Sequence, residues 1–135
     1  MRTFTYDSAL ALSSGEAALT ASAAAQVAGS AKVFDTGFVT GGPNALFKGI
    51  AVIDITAIDT TSADELYTFI IQGSNSSTFA SGVENLVELD LGATASRKGG
   101  ATVVSGVGRY EVGFQSEQAD VMYQYIRLYR LISGT

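Results

Sequence analysis

In the pattern of apolar and polar residues, the longest unambiguous strand and the sharpest turn fall in residues 66–79, LYTFIIQGSNSSTF. In an extended chain Tyr67, Phe69, Ile71 and Gly73 share one face, and Leu66, Thr68, Ile70 and Gln72 the other. Successive side chains of a strand point to opposite faces, and here both faces carry apolar groups, which predicts a central strand. Ser74-Asn75-Ser76-Ser77 then stops it, because short polar side chains hydrogen-bond their own backbone, and Phe79 restarts an apolar contact. Residues 46–58 (LFKGIAVIDITAI) form a second β-branched run, with Ile50, Val52, Asp54, Thr56 and Ile58 on one face. Residues 86–91 alternate with Val87, Leu89 and Leu91 inward and Glu88 and Asp90 on a wet face. Residues 109–114 align Tyr110, Val112 and Phe114, and residues 121–132 (VMYQYIRLYRLI) align Tyr123, Tyr125, Arg127 and Tyr129.

Shorter pieces complete the pattern: a strand over 32–35, a loop at Gly41-Gly42-Pro43-Asn44, turn chemistry over 59–64, and a short strand over 102–105 followed by a turn at 106–108. Residues 92–100 (GATASRKGG) read as a mobile loop. Residues 16–28 (EAALTASAAAQVA) are in conflict, since alanine favours helix while no large residue anchors a helical face. An extended path is therefore expected there. About eight strands with no crossover helix predict one all-β domain over residues 1–135, an antiparallel β-sandwich of Greek-key or jelly-roll wiring, with residues 1–11 as an N-terminal arm.

Composition narrows the chemistry. The chain has no histidine and no cysteine, which removes the usual ligands for zinc, copper and non-haem iron, the Ser-His-Asp and Cys-His arrangements, and any disulfide. No cofactor, no metal and no catalytic activity are expected. Of the paired carboxylates, Asp54 with Asp59 and Glu88 with Asp90, the second pair reads as solvated surface, and Asp54 as a structural residue that Arg109 or Arg127 would satisfy if it is buried. The glycine-rich pieces GGPN and RKGG lack the strand-loop-helix setting of a phosphate cradle. A formal net charge of −5 with scattered basic residues argues against a nucleic-acid partner. No apolar run approaches the roughly 20 residues that cross a bilayer, and the polar N-terminus reads as mature structure without a secretory leader, so neither a membrane nor a secreted setting is expected.

What remains is surface. The row Tyr123, Tyr125, Arg127 and Tyr129 suits a protein or sugar partner, since aromatic and arginine side chains dominate such contacts. Arg97 and Lys98 are the charges placed to meet an acidic partner, and Arg2, Phe4 and Tyr6 stand in the arm.

Four short pieces carry a resemblance: Asp7-Ser8-Ala9-Leu10, Val33-Phe34-Asp35-Thr36-Gly37, Ile71-Gln72-Gly73-Ser74 continuing through Asn75 to Phe79, and Tyr125-Ile126-Arg127-Leu128. In their order the chain resembles the small cement, or decoration, proteins that tailed bacteriophages place on the outside of their capsids. The resemblance implies a jelly-roll β-sandwich that forms homo-oligomers, a homodimer first and a trimer second. It further implies binding across neighbouring major capsid protein subunits on the outer surface of a virion assembled in the host cytoplasm. On that view the arm and the alanine-rich stretch lie along a neighbouring chain. The alternative from the residues alone is a carbohydrate-binding or adhesion module of a phage fibre or tail.

Overall fold

A computed structural model describes residues 8–37, 46–95, 97–98 and 105–134. Among them there is no α-helix: a 3-10 turn at Ser8–Leu10 precedes eleven strands. They are β1 (Ala23–Ala24), β2 (Gln26–Val27), β3 (Ser30–Ala31), β4 (Phe34–Asp35), β5 (Lys48–Ile55), β6 (Leu66–Ser74), β7 (Glu84–Gly92), β8 (Gly108–Gln115), β9 (Glu117–Gln118), β10 (Val121–Met122) and β11 (Tyr125–Ser133). The predicted all-β sandwich is thus present, built on five long strands and several two-residue pairings. The expected arm residues Arg2, Phe4 and Tyr6, the 41–44 loop and most of the 102–105 strand lie outside the described residues.

One sheet runs β1-β11-β6-β7, with β4 also on β11; β5 and β8 form a separate ribbon. Every named strand pair is antiparallel, and a lone parallel bridge joins Ser14 to Val27. The described pairings form a sandwich of antiparallel sheets. β6 is central, as its two apolar faces predict: Ile70 and Ile71, on opposite faces, are 2% and 3% exposed. It pairs with β11 over nine residues without a slip, from Leu66 opposite Ser133 to Ser74 opposite Tyr125. Against β7 the register shifts after Ile71, which faces Val87 while Gln72 faces Asn85, so Leu86 is the extra residue of a bulge.

The core lies between the five-stranded sheet and the ribbon. Phe69 and Ile71 of β6, Val87 and Leu89 of β7 and Leu128 of β11 face Ala51, Ile53 and Val112 across it. Phe47 bridges one end, its ring 5.2 Å from Phe34 and 5.9 Å from Phe114. At the other end the core layer closes on charge. Arg130 is 4% exposed and donates to Glu16 Oε2 at 2.7 Å. Glu16 Oε1 accepts from the Gln26 amide at 2.8 Å and from Ser13 at 2.7 Å. Burial alone pushes the Glu16 carboxyl up, but the bonds from Arg130, Gln26 and Ser13 outweigh it and hold it below the ordinary glutamate value.

The alanine-rich stretch is extended, as expected, and the reason is visible. Ala25 is fully buried in the core cluster with Ile71, Ile126 and Leu128, and its amide donates to the Leu128 carbonyl at 2.9 Å. Within the stretch β1 forms the edge of its own sheet, with Ala23 opposite Arg130 and Ala24 opposite Tyr129.

Two hairpins turn on paired residues with positive φ, three of the four being non-glycine. Ala28-Gly29 (52° and 79°) joins β2 to β3, and Ala119-Asp120 (52° and 63°) joins β9 to β10. Paired positive φ values at both central positions are the type I′ geometry, whose twist matches that of the flanking strands.

Candidate functional site

The predicted final strand over 121–132 is broken. Val121 and Met122 end the β9–β10 hairpin, Tyr123 and Gln124 form a connector, and β11 begins at Tyr125. The break is made by a distant residue: the Asn75 side chain donates to the Met122 carbonyl at 3.0 Å and accepts from the Gln124 amide at 2.9 Å. Thr36 reaches the Gln124 carbonyl with both its amide, at 2.8 Å, and its hydroxyl, at 2.9 Å, and the Gln124 carboxamide binds Asp35.

Tyr123 therefore does not join the exposed row, a correction to the predicted face. It is buried, with its ring packed on Gly73, where an added Cβ would stand 2.8 Å from the ring. Burial, with the negative charges of Glu84 and Glu117 behind it, pushes its phenol up. The row that remains on the outer face of β11 is Tyr125, Arg127 and Tyr129, opposite Ser74, Gln72 and Ile70, and it runs on to the exposed Leu131.

Arg127 is the centre of this surface. Its guanidinium carbon lies 4.2 Å from the centre of the Phe79 ring and 5.2 Å from that of Tyr129, a cation held on two aromatic faces. Phe79, itself buried, reaches this position because the turn after β6 brings it back over the outer face, with φ of 55°. Arg127 Nε donates to Gln72 Oε1 at 2.9 Å, Gln72 Nε2 to Asn85 at 3.0 Å, and Asn85 Nδ2 to Glu88 Oε1 at 2.9 Å. Lys98 closes this chain on Glu88 Oε2 at 2.9 Å. A line of hydrogen bonds thus crosses β11, β6 and β7 on the outer face.

The two loop cations predicted as free contacts differ. Lys98 is exposed but spent on Glu88. Arg97 is half-buried, and its Nε is enclosed without a hydrogen-bond partner among the described residues. Sequence reasoning missed Phe79, Gln72 and Asn85, which act only through cross-strand and turn geometry.

Each candidate carboxylate has hydrogen-bond partners of its own. Asp54 accepts from Arg109 at 2.8 Å and 3.1 Å in a forked, exposed pair, so Arg109 is the partner but burial is not the reason. Asp59 accepts from the amide and hydroxyl of Thr61, Asp90 accepts from Thr68, and Glu88 is bound by Lys98 and Asn85. The Arg109 bond lowers Asp54, the Thr61 bonds lower Asp59 and the Lys98 bond lowers Glu88, opposite to what a general acid needs. Among the described residues no group of three or more acidic, histidine or cysteine side chains is arranged to hold a metal ion.

Compared with protein-family models, curated proteins and solved structures, the chain matches none.

Proposed function

We propose that the chain is a capsid decoration protein, which binds the outside of a phage head across neighbouring major capsid protein subunits and stabilises the shell. The observation that carries this reading is where the resembling pieces lie. Val33 to Gly37, Ile71 to Phe79 and Tyr125 to Leu128 are far apart in sequence, yet they are hydrogen-bonded neighbours in one corner of the five-stranded sheet. Asp35 and Ser74 flank Tyr125, Phe34 and Gly73 flank Ile126, and Gln72 faces Arg127. Pieces that match in order alone have no reason to form one patch; a shared docking corner gives them one. The jelly-roll wiring of that family, and a homodimer or trimer, belong to the same proposal.

The physical requirements agree. A cement protein works by burying surface between rigid bodies, for which interfaces of roughly 1,200–2,000 Å² are usual, and it needs no reactive groups. The row of Tyr125, Arg127 and Tyr129 is of the type that dominates such contacts.

The test is reconstitution. Purified protein is added to undecorated heads of a phage whose genome carries this gene beside its major capsid gene. Co-sedimentation with the heads and a raised temperature of head disruption are expected, both weakened by Tyr125→Ala and Tyr129→Ala. Native mass spectrometry is expected to give a dimer or trimer. Failure to decorate, together with saturable binding on a glycan array, would transfer the chain to the adhesion class.

A further inference from the structure

We infer that Arg127 is a preformed receptor for a carboxylate, supplied by an aspartate or glutamate side chain of the protein that covers this face. The inference rests on the proposed docking of this face and names its chemistry. Three cations of the described residues carry a carboxylate of their own: Lys98 with Glu88, Arg109 with Asp54 and Arg130 with Glu16. Arg127, in a chain of net charge −5, is held only by neutral groups, namely Gln72, Phe79 and Tyr129.

The manner of holding selects the ligand. Gln72 takes Nε, and the Phe79 and Tyr129 rings stand 4.2 Å and 5.2 Å from the guanidinium carbon, so the group is held from several sides. Nη1 and Nη2 have no hydrogen-bond partner among the described residues. The unused edge is the pair of parallel N–H donors that grips a planar carboxylate with two bonds. Burial between the rings pulls the guanidinium below its ordinary value, so the group has already lost part of its hydration before a partner arrives. Gln72 is itself fixed by Asn85, and Asn85 by Glu88. The receptor is therefore anchored on three strands, and little ordering is left to be done on binding.

The experiment uses the whole isolated protein, labelled with nitrogen-15, titrated with acetate, with methyl phosphate and with glucuronate while the Arg127 Nε–H signal is followed. A saturable shift with acetate is expected. Gln72→Glu, which supplies a carboxylate to Arg127 from within, is expected to weaken it at least about tenfold. Arg127→Met is expected to abolish the response, and Gln72→Glu keeps the test decisive if the methionine variant does not fold. No saturable acetate shift, or an undiminished one in Gln72→Glu, overturns the inference. Tighter binding of methyl phosphate or of glucuronate than of acetate overturns the assignment to a protein carboxylate. The same variants are then added to undecorated heads. Wild-type decoration with undiminished Gln72→Glu decoration overturns this inference alone. An intact acetate response without any decoration supports the carboxylate site and removes the capsid as its partner.

Discussion

At the scale of single residues, two kinds of burial hold the chain together, and they fail differently. Ile70 and Ile71 fill opposite faces of β6, so truncating either to alanine leaves a cavity and is expected to cost about 2–5 kcal/mol in chemical denaturation. Glu16 and Arg130 are a charge pair at the edge of the core. Glu16→Gln keeps the shape but leaves the guanidinium enclosed without its counter-charge, an effect of about 3 kcal/mol. Arg130 Nε lacks a hydrogen-bond partner among the described residues, and the Ala24 carbonyl that accepts from Nη2 at 3.3 Å is neutral, so it does not replace the lost charge. Gly92 is constrained in a third way. Its φ of 121° is one that side chains rarely adopt, and an added Cβ would run into the Glu65 carbonyl. Replacing it with alanine strains the exit of β7 whatever the size of the core around it.

Among elements, the turns are the place to gain stability. Ala119 and Asp120 adopt left-handed geometry that costs an ordinary side chain roughly 1–2 kcal/mol and glycine almost nothing. The Glu117 carboxylate caps this turn through the Asp120 amide, a bond that a substitution at Ala119 leaves untouched. Ala119→Gly is expected to raise stability by about 0.5–1 kcal/mol after the entropy of the freer unfolded chain is subtracted, read as a higher melting temperature.

These same turns show what the chain pattern does and does not reveal. β6 and β8 are legible because their alternation is local. The extended path of residues 16–28 is legible because alanine offers no helical face large enough to bury. The break between β10 and β11 is not legible, because nothing in VMYQYIRLYRLI forbids one continuous strand. It is imposed by Asn75, whose carboxamide takes the backbone groups of Met122 and Gln124. The site divides the same way. Tyr125, Arg127 and Tyr129 follow from parity, whereas Phe79 over Arg127 depends on a turn whose path the sequence does not spell out.

For the molecule as a whole, the charges predict a pH profile with two sloping ends. Glu16, Asp54, Asp59 and Glu88 are held below their ordinary values, so each gives up its proton more readily folded than unfolded. Their stabilisation is complete above the unfolded carboxylate value of roughly 4 and drains away as pH falls through the lower folded values. Tyr67, raised by burial and by Asp59 and Glu65, and Tyr123, raised by burial and by Glu84 and Glu117, act in the opposite direction. Their contribution is complete below the unfolded phenol value of roughly 10 and is lost as pH rises through the higher folded ones. With no histidine or cysteine in the chain, the stability between these limits is expected to be flat in thermal melts. Glu16→Gln should flatten the acid slope, since Glu16 is the enclosed member of the acid set.

The position of β11 also sets the order of events in time. This one strand pairs with β1, β4 and β6, and its partners lie as far back in sequence as Ala23 opposite Arg130. Beyond the local β2–β3 hairpin, β1 and β4 have no partner until residues 125–133 arrive, and β5 likewise waits for β8. Closing such long loops before any contact repays them makes folding slow, in the millisecond-to-second range typical of all-β topologies. Stopped-flow refolding is expected to show that pace, and a chain ending at residue 120 should remain unfolded. Until its last strand docks, β1, β4 and one edge of β6 stay unpaired, exposed to aggregation and proteolysis for longer than the segments of a helical protein of its size.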